Sequence, residues 1–228
     1  MGTSGDDPRS WVLYVVVVAL TALMAAPRRG RDAQSWWWPP PVAAIVLWVL
    51  IAVPSVIRLI LPPLLDVLRR DPVRTRDGEW WRVFTSALTQ DGGVAGTVGN
   101  LVMLAIVAIA VVRIWGWERA VALFVVGQLL WALFTSFVAP SVGAGVSGAT
   151  FVMAASLAGL WPVAGARRTL LVASAGTFVA GVLLVLLDDA HGVAVLIGML
   201  LGAVLGIVLP PSRQVTAAGP GAHGRLRS

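Results

Sequence analysis

Two residues able to do proton-transfer chemistry stand at the starts of apolar segments: Ser147, inside Gly145-Val146-Ser147-Gly148, and His191. A serine hydroxyl is a weak nucleophile until a neighbouring base takes its proton, and imidazole is the usual base. The chain has two histidines. The other, His223, lies in a polar tail, which leaves His191 as the candidate base. Asn100 stands near the start of another apolar segment and adds a third polar side chain. Taken singly each residue has a plain reading. Ser147 fits as a small packing residue, Asn100 as inter-helix glue, and His191 as an interfacial loop residue following Asp188-Asp189.

The elements that must position these side chains are membrane helices. Hydrophobic residues make up 58% of the chain and charged residues 12%, with mean hydropathy +0.86. An ordinary soluble domain carries roughly 25% charged residues. Spans able to cross a ~30 Å hydrocarbon core fall near 11–26, 42–61, 94–112, 119–138, 146–162, 168–187 and 191–209. The pattern predicts an all-α, polytopic membrane helix bundle. It divides into an N-terminal transmembrane helix with a Trp/Pro-rich linker (1–41), a six-helix core (42–209) and a disordered cytoplasmic tail (210–228). A cleaved signal peptide competes for the first span, because Ala25 and Ala26 offer small residues. The charges of PRRGR follow the apolar run rather than precede it, which favours a retained helix with its N-terminus outside. The absence of cysteine excludes disulfides, thiol catalysis and cysteine metal sites, and nothing in the pattern calls for a metal or cofactor.

Charge orients the bundle. The net charge of +6 comes from seventeen arginines without a lysine. Such an excess in a membrane protein serves topology and anionic headgroups, and no basic run sits on a soluble domain to bind nucleic acid. With Arg28, Arg29 and Arg31 inside, Arg113, Arg119, Arg167, Arg168, Arg213, Arg225 and Arg227 also fall inside. The segment 63–93 is in tension with this rule, since it places Arg69, Arg70, Arg74, Arg76 and Arg82 outside. The same alternation brings Asn100, Ser147 and His191 to similar depth on the extracytoplasmic side. Ala194, Gly198, Gly202 and Gly206 make a small-residue stripe that allows close helix contact. Its expected complement is the row Ser147, Phe151, Ala155 and Gly159, with Phe151 one turn below Ser147 and able to brace the imidazole. No acidic residue is expected to orient His191, so a Ser–His dyad is expected rather than a triad. The Arg-only, Ala/Gly/Val-rich composition points to a GC-rich bacterial genome and hence the plasma (inner) membrane.

These elements, in this order, resemble the rhomboid family of intramembrane serine proteases over roughly 42–209. Gly145, Ser147 and Gly148 form the family's G-x-S-G, with Phe151 at the aromatic position. His191 with Ala194 and Gly198 resembles the helix that supplies the base. Glu79-Trp80-Trp81-Arg82 resembles the Trp-Arg motif, in which Trp81 and Arg82 would anchor the 63–93 segment. Asn100 matches the oxyanion asparagine, and Glu118-Arg119 matches the Glu-Arg after the second core helix. The resemblance implies a rhomboid-like six-helix core plus one extra N-terminal transmembrane helix. It further implies a serine endopeptidase that uses Ser147 and His191 on transmembrane protein substrates in the bilayer, with the Ser147 backbone amide and Asn100 holding the oxyanion. The chain departs from the pattern at Gly96, where the family places a histidine, at Gln90-Asp91, where another histidine is common, and at Ala194, where glycine is usual. The alternative is a catalytically weak or inactive relative that binds membrane-protein helices. A transporter would call for inverted repeats or mid-membrane charges, and the sequence has neither.

Overall fold

The computed structural model describes residues 8–26 and 36–211. The PRRGR run and the tail arginines lie outside the described residues. Long helices form where apolar runs are unbroken: α1 (Pro8–Ala25), α2 (Val42–Ile60), α6 (Gly93–Trp115), α7 (Trp117–Leu133), α8 (Ser147–Val163), α9 (Arg168–Leu186) and α10 (His191–Val208). A π-helical turn, Phe134–Val138, extends α7. Three short helices, α3 (Pro63–Leu68), α4 (Pro72–Arg76) and α5 (Arg82–Thr85), fold the α2–α6 connection. Proline opens α3 and α4 at positions where its missing N–H is no loss. Gly116, at φ 82°, is at once the end of α6 and the start of α7. That left-handed conformation is open to glycine at little cost, and it lets one residue reverse the chain. Among the described residues six helices are long and apolar enough to cross a membrane, and the chain is a multi-pass membrane protein in a lipid bilayer.

The exception is α8. It has 17 residues, so it spans only about 26 Å at 1.5 Å per residue. It is also the hub: every residue from Gly148 to Trp161 is buried, and α1, α6, α7, α9 and α10 pack around it. A helix that is apolar all round belongs in the centre of a bundle. Its short length leaves room for the preceding strap, residues 139–146, to enter the bundle and deliver Ser147 below the surface.

Glycine decides how α10 meets α8. A Cβ at Gly198 would lie 2.3 Å from Val152 O, one at Gly202 2.0 Å from Ser156 O, and one at Gly159 1.9 Å from Met199 O. Backbone therefore rests on backbone, and none of these positions accepts a larger residue without parting the helices. The complement to the stripe is thus Val152, Ser156 and Gly159, which corrects the expected row through Phe151 and Ala155. The row turns by one residue because Phe151 faces Tyr14 and His191 instead.

The connector 63–93 is where the awkward arginines go. Arg82, 2% exposed, donates through Nη1 to Asp66 O and Arg69 O, both at 2.9 Å, and pairs with Glu79. Arg76 donates to Ser136 O at 3.0 Å. Arg70 donates from Nε to Ser141 O and from Nη2 to Ser141 Oγ, both at 3.0 Å. Burial pushes the Arg70 guanidinium down to about 10, with the Asp91 charge working the other way. These cations satisfy backbone carbonyls that helices do not, a structural use that outweighs their place in the charge rule.

Candidate active site

The connector builds the approach to Ser147. Arg70 and Gly143 exchange backbone hydrogen bonds at 2.8 and 3.1 Å, Asp91 N donates to Ala144 O at 2.9 Å, and Gly145 N donates to Ser86 O at 2.9 Å. Ala144 N donates to the Asp91 carboxylate. The strap is thereby stitched to 63–93 before α8 begins, so Ser147 sits on a fixed footing. As the first residue of α8, it lies among amides that have no partner within the helix.

Ser147 Oγ lies 2.8 Å from His191 Nε2. His191 Nδ1 lies 2.8 Å from Asp189 Oδ1 and 2.9 Å from Tyr14 Oη. Tyr14 donates to Asp189 Oδ2, and the His191 backbone N–H donates to Oδ1 at 3.0 Å. An acidic residue does orient the imidazole, which corrects the expectation of a bare dyad. Asp189 lies only two residues before His191, where the turn into α10 folds its side chain back over the helix start. Burial pushes the Asp189 carboxyl up. Hydrogen bonds from the His191 ring, its charge, the Tyr14 hydroxyl and the His191 amide outweigh that and hold the group below the usual carboxylate range.

Aromatic rings enclose the base. Trp131 stacks on His191 at 5.0 Å between centroids with planes 26° apart. Phe151 and Tyr14 meet the imidazole edge-on at 5.5 and 5.1 Å. Gly148 is what admits Trp131: a Cβ there would stand 2.3 Å from Trp131 Cδ1. Arg70 lies over the same indole at 5.9 Å. Sequence reasoning missed Tyr14, Asp189 and Trp131. The signals were a carboxylate two residues before a helix-opening histidine, and a lone tyrosine in an apolar helix whose hydroxyl needs a buried partner.

The anion side is more sparsely furnished. Asn100 Nδ2 donates to Gln90 Oε1 at 2.8 Å, and Val146 N donates to the same oxygen at 3.0 Å. An amide nitrogen carries two hydrogens, so Asn100 keeps one for another acceptor. Gly145 leaves the intervening space open: a Cβ there would lie 3.5 Å from each of Asn100 Nδ2, Gln90 Oε1 and Ser147 Oγ. Gly96 is constrained by the backbone, because a Cβ would stand 2.4 Å from Asp91 O. The absent histidine is therefore excluded sterically in this arrangement.

Of the residues read from sequence, Ser147, His191, Asn100, Gly145, Gly148 and Phe151 converge here. Ala194 and Gly198 lie buried on α10 below His191. Arg82 binds the connector's carbonyls, and Trp81, 50% exposed, precedes α5 on the connector; the structure gives neither a contact with the Ser–His pair.

Fold and site together define a multi-pass helical membrane protein with a serine and a histidine in hydrogen-bond contact inside the bundle. The family model described as Rhomboid domain matches residues 77–212, more than half of the chain, and the protein belongs to the rhomboid family. No curated protein matches it.

Proposed function

We propose that this chain is an intramembrane serine endopeptidase that cleaves transmembrane segments of other membrane proteins, with Ser147 as nucleophile and His191 as base. The observation that carries the reading is the 2.8 Å contact between Ser147 Oγ and His191 Nε2, with the opposite ring nitrogen held by Asp189. A carboxylate accepts hydrogen bonds only, so Nδ1 carries the proton and Nε2 presents its lone pair to the serine hydroxyl.

Ser147 Oγ attacks the scissile carbonyl as its proton passes to Nε2, and the Asp189 charge stabilises the imidazolium. The tetrahedral oxyanion is met by the Ser147 backbone N–H and the free Asn100 hydrogen, at a helix N-terminus that favours negative charge. Collapse sends the proton from Nε2 to the leaving amine. Water then attacks the acyl-enzyme by the same route in reverse, releasing the carboxylate and free Ser147. Trp81 and Arg82 anchor the connector. The site faces the extracytoplasmic side of the plasma membrane, a reading supported by Arg113, Arg119, Arg167 and Arg168, which cluster at the opposite ends of α6 and α8.

A second reading, an inactive relative that binds membrane helices, is favoured by one observation: Gly96 supplies no side-chain donor to the anion. Fluorophosphonate labelling of the detergent-solubilised protein separates the two, because the probe requires an activated serine and no known substrate. Labelling lost in both Ser147→Ala and His191→Ala is the expected result. A folded wild type that stays unlabelled beside an active rhomboid control would favour the inactive relative.

A further inference from the structure

The extra N-terminal helix is built into the site. α1 packs against α6, α8 and α9, with Trp11 and Leu20 lying against small residues on its neighbours. A Cβ at Gly99 would lie 3.6 Å from Trp11 Cη2, and one at Gly176 would lie 3.2 Å from Leu20 Cδ1. Between these two contacts sits Tyr14, the chain's only tyrosine, 4% exposed. Its ring packs at 4.9 Å on Phe151 and its hydroxyl reaches both Asp189 and His191.

The hydrogens can be counted. A phenol has one, and Tyr14 gives it to Asp189 Oδ2. Its oxygen can then only accept from Nδ1. His191 Nδ1 thus faces two acceptors, Asp189 Oδ1 and Tyr14 Oη, and the proton it carries is shared between them. Both act in the same sense, holding the ring so that bare Nε2 points at Ser147.

We propose that Tyr14 of α1 is a positioning residue for the Ser147–His191 pair. Through it the N-terminal helix supplies a second acceptor at Nδ1, beside Asp189, and fixes the tilt of the base. The inference rests on the proteolytic reading above only for its kinetic arm. The expected loss is that of a hydrogen bond to a charged group, about tenfold in rate.

The test uses Tyr14→Phe, which keeps the ring and its packing, and Leu20→Ala, which loosens α1 without touching His191. The limiting rate of fluorophosphonate labelling should fall about tenfold in Tyr14→Phe at an unchanged half-saturating probe concentration. Leu20→Ala should lower the melting temperature and leave the limiting rate of the folded protein unchanged. Histidine ¹⁵N spectra in a His223→Ala background report on His191 alone. Wild type should show Nδ1 protonated, and Tyr14→Phe, in which Asp189 still holds that tautomer, should shift the Nδ1 resonance as its second acceptor is lost. Unchanged spectra in Tyr14→Phe, or a limiting rate equal to wild type, would overturn the proposal. If the wild type is not labelled at all, the proteolytic reading fails, and the nitrogen spectra alone decide the role of Tyr14.

Discussion

The two halves of the candidate site are built to different standards. On the base side, His191 is held at Nδ1 by Asp189 and Tyr14, on one face by Trp131 and at its edges by Phe151 and Tyr14. On the anion side, a single amide, Asn100, is steadied by one glutamine, and Gly96 offers nothing. The base half spreads the aim of the ring over several side chains, whereas the anion half rests on one side chain and a backbone amide. On the proposed proteolytic reading, a serine in such a site is well prepared for attack while its tetrahedral intermediate has few donors. That difference explains why the family's extra histidine cannot simply be restored: the Asp91 carbonyl already occupies the approach to position 96.

The largest effect should come from inverting the polarity at the base. Asp189→Asn can present an N–H to Nδ1, which moves the ring proton to Nε2 and leaves Ser147 without an acceptor. Labelling is expected to fall by about 10³ to 10⁴ while the fold persists. If Asp189→Asn instead labels like wild type, the base half is not what prepares the serine. Asn100→Ala removes the side-chain donor proposed for the oxyanion. It should cost about 10² to 10³ in cleavage of any transmembrane substrate later identified, and a loss below tenfold would show that the backbone amide suffices. Gln90→Leu keeps Asn100 but frees its rotamer and unpairs Val146 N. A loss of about tenfold is expected, the worth of one hydrogen bond near a charge, and rescue by Gln90→Glu would mark the acceptor as the feature that matters. Gly96→His tests the comparison from the other direction. It should lower the yield of folded protein and raise no activity, and a gain in rate would show that the connector can move aside.

Acid gives the smallest and most specific signal. The folded Asp189 carboxyl titrates below its unfolded value of about 3.9, so its contribution to stability is complete above that value. It is lost as the pH falls through the folded value. The melting-temperature gap between wild type and Asp189→Asn should therefore narrow as the pH is taken below about 4. A gap that is constant with pH would mean that the carboxylate's charge is not what stabilises the fold.

Much of this was legible before any coordinates. Apolar run length marks the helices, and G-x-S-G, Asn100 and His191 are residues that the fold brings together, because motif and span length are local properties of a sequence. The glycine stripe announced a close crossing, but its partner row was misread by one residue. Spacing along α8 shows which residues share a face and not which face another helix will choose. No acidic residue was expected to orient His191, because the Asp189 carboxylate acts through a turn that forms only when α9 and α10 pack. Tyr14 comes from 177 residues away in sequence, so no periodicity could have linked it to His191. The arginines of 63–93 are in tension with the charge rule, and Arg70, Arg76 and Arg82 bind backbone carbonyls, a use that depends on tertiary folding. In each case the part not legible was a contact between elements.

The most direct test of the central claim is intact-protein and peptide mass spectrometry after fluorophosphonate treatment of wild type and His191→Ala. The account predicts one phosphonyl adduct per chain, located on Ser147, and a rate lower by about 10² to 10⁴ in His191→Ala. An adduct on another serine, or equal modification of Ser147 without His191, would contradict it.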